Sequence, residues 1–229
     1  MTIDYTPIPA NLRDIYEELE SQLSWLHEEW KMYRQLFGTN AERIELMNEM
    51  CPTFTYNLQF MTHDWITLSI CRLAVDNSRV ARKDTLVVAL LHEQLDRVRY
   101  PALGAALDAA FVDVKRTCGI LQKHRHTRIA HLNRAAHLTS KTHQLPSRQQ
   151  IEDALEAVRR YMNIFREEFM GSPLYFEGVM MLDDAKTMLW CLLQAQEYGK
   201  LERENPGEYH TRLRANNYYS ALQNDATTL

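Results

Sequence analysis

Between Asn11 and Phe37 the apolar side chains Leu12, Ile15, Leu19, Leu23, Leu26, Trp30, Tyr33 and Phe37 recur every three or four residues, the period that gathers them on one face of an α-helix. A helix that long with one apolar stripe must bury the stripe against other elements. Nothing later in the chain alternates with the period of two expected of a half-buried strand, so the partners should also be helices. The fold class predicted is therefore all-α.

The rest of the chain supplies those partners. Gly38 ends the first helix, and Thr39 or Asn40 can cap the next, AERIELMNEM, which stops at or kinks on Pro52. A third helix is expected from about Thr53 to Val75, apolar on more than one side through Phe54, Leu58, Trp65, Leu68, Ile70 and Leu73. DNSRVARK, residues 76 to 83, reads as a loop, after which Asp84 can cap a short helix over TLVVALLHEQL. Pro101 suits the first turn of a helix running through ALDAAFVDVKRTCGILQ, with Gly119 marking a bend. A loop is expected at residues 139 to 146. Ser147 heads a capping-box arrangement opening a helix over residues 148 to 170, which Gly171, Ser172 and Pro173 end. A last helix is predicted over about Gly178 to Tyr198, and residues 206 to 229 read as a loosely ordered tail. Together these helices read as one domain spanning residues 1 to 229.

Composition agrees and removes some function classes. Only seven Gly and seven Pro occur in 229 residues, in a chain rich in good helix formers. The longest apolar run, LVVALL at residues 86 to 91, is far below the roughly 18 residues that suggest a membrane span. The start MTIDYTPIPANLRD lacks the basic and apolar segments of an export signal. Cys51, Cys71, Cys118 and Cys191 show no CxxC spacing and fall in apolar helical patterns, as expected of reduced, mostly buried thiols in a cytoplasmic protein. Trp25, Trp30, Trp65 and Trp190 lie in helical periodicities and read as core or interface residues. His63 and Asp64 are neighbours on a helix, pointing about 100° apart, and are not read as a proton pair. Tyr209, Tyr218 and Tyr219 read as docking on the bundle rather than stacking on bases.

The net charge of −4 conceals an asymmetry. Between Asp113 and Glu152 there are eight Lys or Arg, five His and no carboxylate. A block of one sign suggests an anionic partner, nucleic acid or phosphate. At its centre, KHRHTRIAH at residues 123 to 131 holds His124, His126 and His131 beside Arg125 and Arg128. A metal site fits this stretch poorly. Helical zinc pairs use i and i+4, whereas these histidines step by two and five, without a carboxylate or thiol and among arginines that repel a cation. No metal or cofactor is expected. A plain amphipathic helix would place Ile129, Ala130 and Leu132 inward, yet His131 then lies near the packed face, where an unpaired imidazole is penalised.

RNA cleavage needs groups that take a proton from a 2′-OH and return one to the leaving oxygen, with fixed positive charge at the phosphate. Imidazole suits the proton transfers and guanidinium the charge. On an ideal helix Arg125 and His131 lie about 9 Å apart along the axis and about 120° apart around it, with Arg128 between them. A single helix is too shallow to enclose a phosphate, so a second copy across a two-fold axis is expected to complete the groove.

The stretch R-H-T-R-I-A-H, with Arg125, the polar His126 and His131, matches the R-x4-6-H signature of the HEPN superfamily. W-K-M-Y-R-Q-L-F at residues 30 to 37, R-I-E-L-M-N at 43 to 48, Phe54, L-S-I-C-R-L-A-V-D at 68 to 76 and D-T-L-V-V-A-L-L at 84 to 91 occur in the order and spacing of its AbiU-like abortive-infection branch. The chain resembles that branch over about residues 25 to 138, with further helices from 147 to 205. The resemblance implies a HEPN-like helical bundle that homodimerises through its motif helices and cleaves RNA without a metal, leaving cyclic phosphate ends. Many members are toxins or phage-defence effectors, some restrained by an antitoxin protein, and others only bind RNA or nucleotides. It casts Arg125 as the phosphate and transition-state binder, His131 as the proton-transfer residue and His126 as a positioning group. Arg128 and Lys123 become contacts to the RNA backbone. Arg72 and Asp76, more widely spaced than is usual in the family, are read as an i, i+4 pair supporting the site. The other readings kept open are a catalytically inactive dimeric module binding RNA or nucleotides, and a structural helical protein whose partner is another protein.

Overall fold

The computed structural model describes residues 3–80, 83–129, 145–176 and 184–204, together with positions 207 and 211. Among them are seven α-helices: α1 (Ala10–Phe37), α2 (Ala41–Met50), α3 (Pro52–Ala74), α4 (Val88–Gln94), α5 (Pro101–His124), α6 (Arg148–Met170) and α7 (Ala185–Glu204). The protein is all-α. Among the described residues the one departure is a two-residue antiparallel ladder, β1 (Arg79–Val80) with β2 (Lys83–Asp84), in and at the end of the stretch expected to be a loop. Strands of two residues are too short to display alternation in a sequence. Asp84 is correspondingly not a helix cap: its carboxylate accepts from Arg79 Nε at 3.1 Å, and α4 begins after Val87.

The helix ends follow local chemistry. Asn40 Oδ1 accepts from the Arg43 backbone N–H at 3.3 Å to start α2, and Pro101 opens α5. Ser147 and Gln150 form a reciprocal capping box at α6. Gly171 ends α6 with φ of 71°, a left-handed conformation that glycine adopts without the penalty of a Cβ. α5 runs unbroken through Gly119 to His124, since a helix tolerates a lone glycine at modest cost.

The chain divides into two compact units, one of Met1–Arg34 with Asn57–Met181, the other of Gln35–Tyr56 with Leu182–Leu229. The core of the first unit follows the apolar period of α1: Leu12, Tyr16, Leu19, Leu23, Leu26 and Trp30 are all buried. They share that core with Ile66 and Ile70 of α3, Val88 and Leu91 of α4, Leu107, Val114 and Leu121 of α5, and Leu155, Val158, Tyr161 and Phe165 of α6. Tyr16 stacks on Phe165 with ring centroids 5.0 Å apart. Beside that pair Glu20, 3% exposed, takes a hydrogen bond from Tyr5 Oη at 2.8 Å and ion-pairs with Arg166. A carboxylate there is tolerable only because both of its oxygens are engaged. In the second unit α2 packs with α7, and Asp184 receives Gln35 Nε2 at 2.8 Å and the Lys186 backbone N–H at 3.0 Å.

The expectation for the cysteines needs correction, and that for the tryptophans, core or interface, is narrowed. Cys71 and Cys118 are buried, but Cys51 and Cys191 are exposed. Of the four tryptophans only Trp30 is core; Trp25, Trp65 and Trp190 are about half exposed or more, at 57%, 48% and 64%. Periodicity shows that a residue shares a helix face, not that the face is covered. Tyr209, Tyr218 and Tyr219 lie outside the described residues.

Candidate functional site

The basic stretch leaves α-helical geometry at the residue of greatest interest. α5 is regular to His124, and Arg125–Ile129 then forms a π-helical turn. Thr127 accounts for part of this widening, since its hydroxyl donates to the Lys123 carbonyl at 2.9 Å and to that of His124 at 3.2 Å. A threonine bonding back to the preceding turn bends a helix. Such π turns recur at functional positions, and the regular 100° step used to relate Arg125 to later residues does not hold across this one.

Arg125 Nη1 donates to Asp76 Oδ1 in a partly buried ion pair. Asp76 lies just past α3, which ends at Ala74, and the backbone N–H groups of Val75 and Asp76 both return to the Cys71 carbonyl at 3.0 Å. Asp76 therefore sits beyond the helix, and the i, i+4 geometry expected with Arg72 does not form. Arg72 lies exposed on α3. The guanidinium that Asp76 engages belongs to Arg125, 49 positions later. Asp76 also borders an open cleft of about 620 Å³ whose walls include Asn77, Ser78, Arg79, Lys115 and Gln122. Around Arg125 the other candidates are arranged by exposure: Lys123 and His126 face solvent, and Arg128 is half-buried. His131, His137 and His143 lie outside the described residues.

A second group was not visible from spacing. His63 Nδ1 lies 3.8 Å, and His124 Nε2 3.7 Å, from the same oxygen, Asp64 Oδ1. His63 Nε2 is 3.0 Å from the Pro146 carbonyl oxygen. His63 and Asp64, expected to point about 100° apart, approach each other instead, and the end of α5 brings His124 to them, a long-range contact no local pattern encodes. Burial alone would raise the Asp64 carboxyl pKa; His124 and His63 outweigh it and hold the group well below the ordinary carboxylate range.

The two buried thiols beside the site are poor nucleophiles. Burial pushes Cys71 up to about 12 in spite of the nearby Arg125 guanidinium, and Cys118 likewise to about 12. Among the described residues no group of three His, Cys, Asp or Glu side chains is arranged to hold a metal ion.

The family model HEPN_AbiU2, described as AbiU2, matches residues 9–172, a span that contains α1 through α6, the π turn and the Asp76–Arg125 pair. The chain belongs to the AbiU2 family. As an AbiU2 protein it is an abortive-infection protein of HEPN type, and the resemblance read from about residues 25 to 138 extends in the match to both sides. No curated protein and no solved structure matches the chain significantly. No helix of this AbiU2 protein, among the described residues, is long and apolar enough to cross a membrane.

Proposed function

We propose that this AbiU2 protein is a metal-independent endoribonuclease, acting in the cytoplasm as a homodimeric toxin or phage-defence effector. The observation that carries the reading is Arg125, held by Asp76 at the π turn within a segment rich in Lys, Arg and His and free of carboxylates. Guanidinium presents five N–H donors, so one bond to Asp76 orients it and leaves others for phosphate oxygens. In the proposed reaction the 2′-oxygen bonds to the adjacent phosphorus as its proton passes to His131. The P–O5′ bond breaks, and the departing oxygen takes a proton from the second imidazole of the dimer. The products are a 2′,3′-cyclic phosphate and a 5′-hydroxyl. Arg125 stabilises the charge that grows on the phosphate oxygens, His126 positions the phosphate, and Lys123 and Arg128 hold neighbouring phosphates. Asp76 supports Arg125, while Arg72 is left as a peripheral contact.

The outer side of α5 supports the dimer. Val112 and Ile120 are 66% and 49% exposed there, on the helix that ends in the basic turn. Apolar side chains on that face fit a two-fold contact that brings two copies of the turn together.

The test is incubation of purified protein with mixed RNA in EDTA. Cleavage is expected to persist, and Arg125→Ala and His131→Ala are each expected to lower kcat at least about 100-fold. Full activity in both variants would remove the site. Salt-sensitive RNA binding with no cut product would identify a catalytically inactive RNA-binding module instead. Unchanged RNA mobility with a co-purifying acidic protein would point to a partner-binding role, with an antitoxin over the basic turn.

A further inference from the structure

The His63, Asp64 and His124 cluster takes no part in the reaction proposed above, yet it flanks the residues that do. His63 and His124 are only 3% and 8% exposed. The Pro146 oxygen 3.0 Å from His63 Nε2 can only accept, so Nε2 carries a proton and Nδ1 is the nitrogen turned toward Asp64. Asp64 Oδ1 is an acceptor, and His124 Nε2 approaches the same oxygen from α5. His63 Nδ1, Asp64 Oδ1 and His124 Nε2 are each buried without a hydrogen-bond partner. Apolar residues of the same volume would serve stability at least as well as such a cluster.

Its connections suggest what it does. His124 is the last residue of α5, next to Arg125 and the start of the π turn. Thr127 hydrogen-bonds the His124 carbonyl, so a shift of His124 is passed directly into the turn. Pro146, held through His63, lies immediately before the Ser147 cap of α6. One carboxylate thus faces the ring that precedes Arg125 and the ring that anchors Pro146.

We infer that Asp64 is a positioning residue for the reactive turn, acting through His124 on Arg125 and through His63 on Pro146. This rests on the endoribonuclease reading for its effect on rate, but not for its effect on structure. A misplacement of about 1 Å in a reacting group can lower a rate about 100-fold, and Asp64 sets where the guanidinium stands without touching RNA.

Amide hydrogen exchange and steady-state RNA cleavage, measured together on the full chain, test it. Asp64→Asn keeps the shape and removes the charge. It is expected to speed exchange at Arg125–Ile129 and at Leu145 and Ser147, which flank Pro146, to lower kcat about tenfold or more, and to leave KM within twofold; Asp64→Glu is expected to recover part of kcat. His124→Phe, which keeps a ring of similar size, is expected to speed exchange at Arg125–Ile129 alone, and it decides the matter if Asp64→Asn does not fold. Unchanged exchange at both flanks in a folded variant would overturn the inference, as would a rise in KM with kcat intact. Should the wild-type protein cleave no RNA, the endoribonuclease reading fails, and the exchange data alone decide whether Asp64 positions the turn.

Discussion

His27 shows how far one buried side chain can govern behaviour remote from the site. Its ring is 6% exposed, stacks on Phe176 at 5.6 Å, and has Nε2 unpaired. Burial, with the Arg159 and Arg34 charges adding, lowers its pKa from 6.5 to about 4. The unfolded chain therefore takes up this proton before the folded one. The stabilisation is complete above about pH 6.5 and is lost as pH falls toward 4, which amounts to about 2 kcal/mol between pH 7.5 and pH 5. Urea titrations at those two pH values measure it, and His27→Phe, which removes the titrating group and keeps the ring, should flatten the difference. The Asp64 carboxyl follows the same sign in a lower pH window. Its pKa is depressed, so it remains charged throughout the working range and its contribution disappears only in strong acid. Arg125 and Asp76 were both identifiable as single residues; their mutual contact was not, because 49 positions separate them.

At the scale of elements, local signals were enough wherever a local hydrogen bond does the work. The capping box of Ser147 and Gln150 is one such case, and Ser147→Ala is expected to lower stability by about 1 kcal/mol, seen as a lower urea midpoint at unchanged slope. The left-handed Gly171 is another. The π turn at Arg125–Ile129 was not legible, since periodicity arguments assume 3.6 residues per turn. The end of α3 was legible to within a residue, and Asp76 falls beyond it, as the loop reading of residues 76 to 83 expects; that it faces Arg125 was not legible.

For the molecule as a whole, the proposed activity requires two copies of the turn. Ile120, exposed on α5, belongs to the face that would join them, and Ile120→Glu is expected to weaken self-association at least about tenfold, through an unpaired charge buried at the contact. Analytical ultracentrifugation over a range of concentrations reads this directly. A wild-type protein that stays monomeric at high concentration would count against the shared groove. Loss of RNA cleavage in step with dissociation would tie activity to the pair.

The amino-acid sequence alone determined the fold class, nearly every described helix, several of their caps though not that of α4, and the basic segment with Arg125 in it, because each depends on neighbours within about one turn of a helix. Tertiary structure decided the rest. Which apolar faces are covered, why Trp25 and Trp190 stand in solvent while Trp30 does not, and how Asp76 meets Arg125 and Asp64 meets His124 all depend on helices packing across long stretches of chain. Such contacts are set by the shape and volume of the whole core, and no single stretch of residues carries that information.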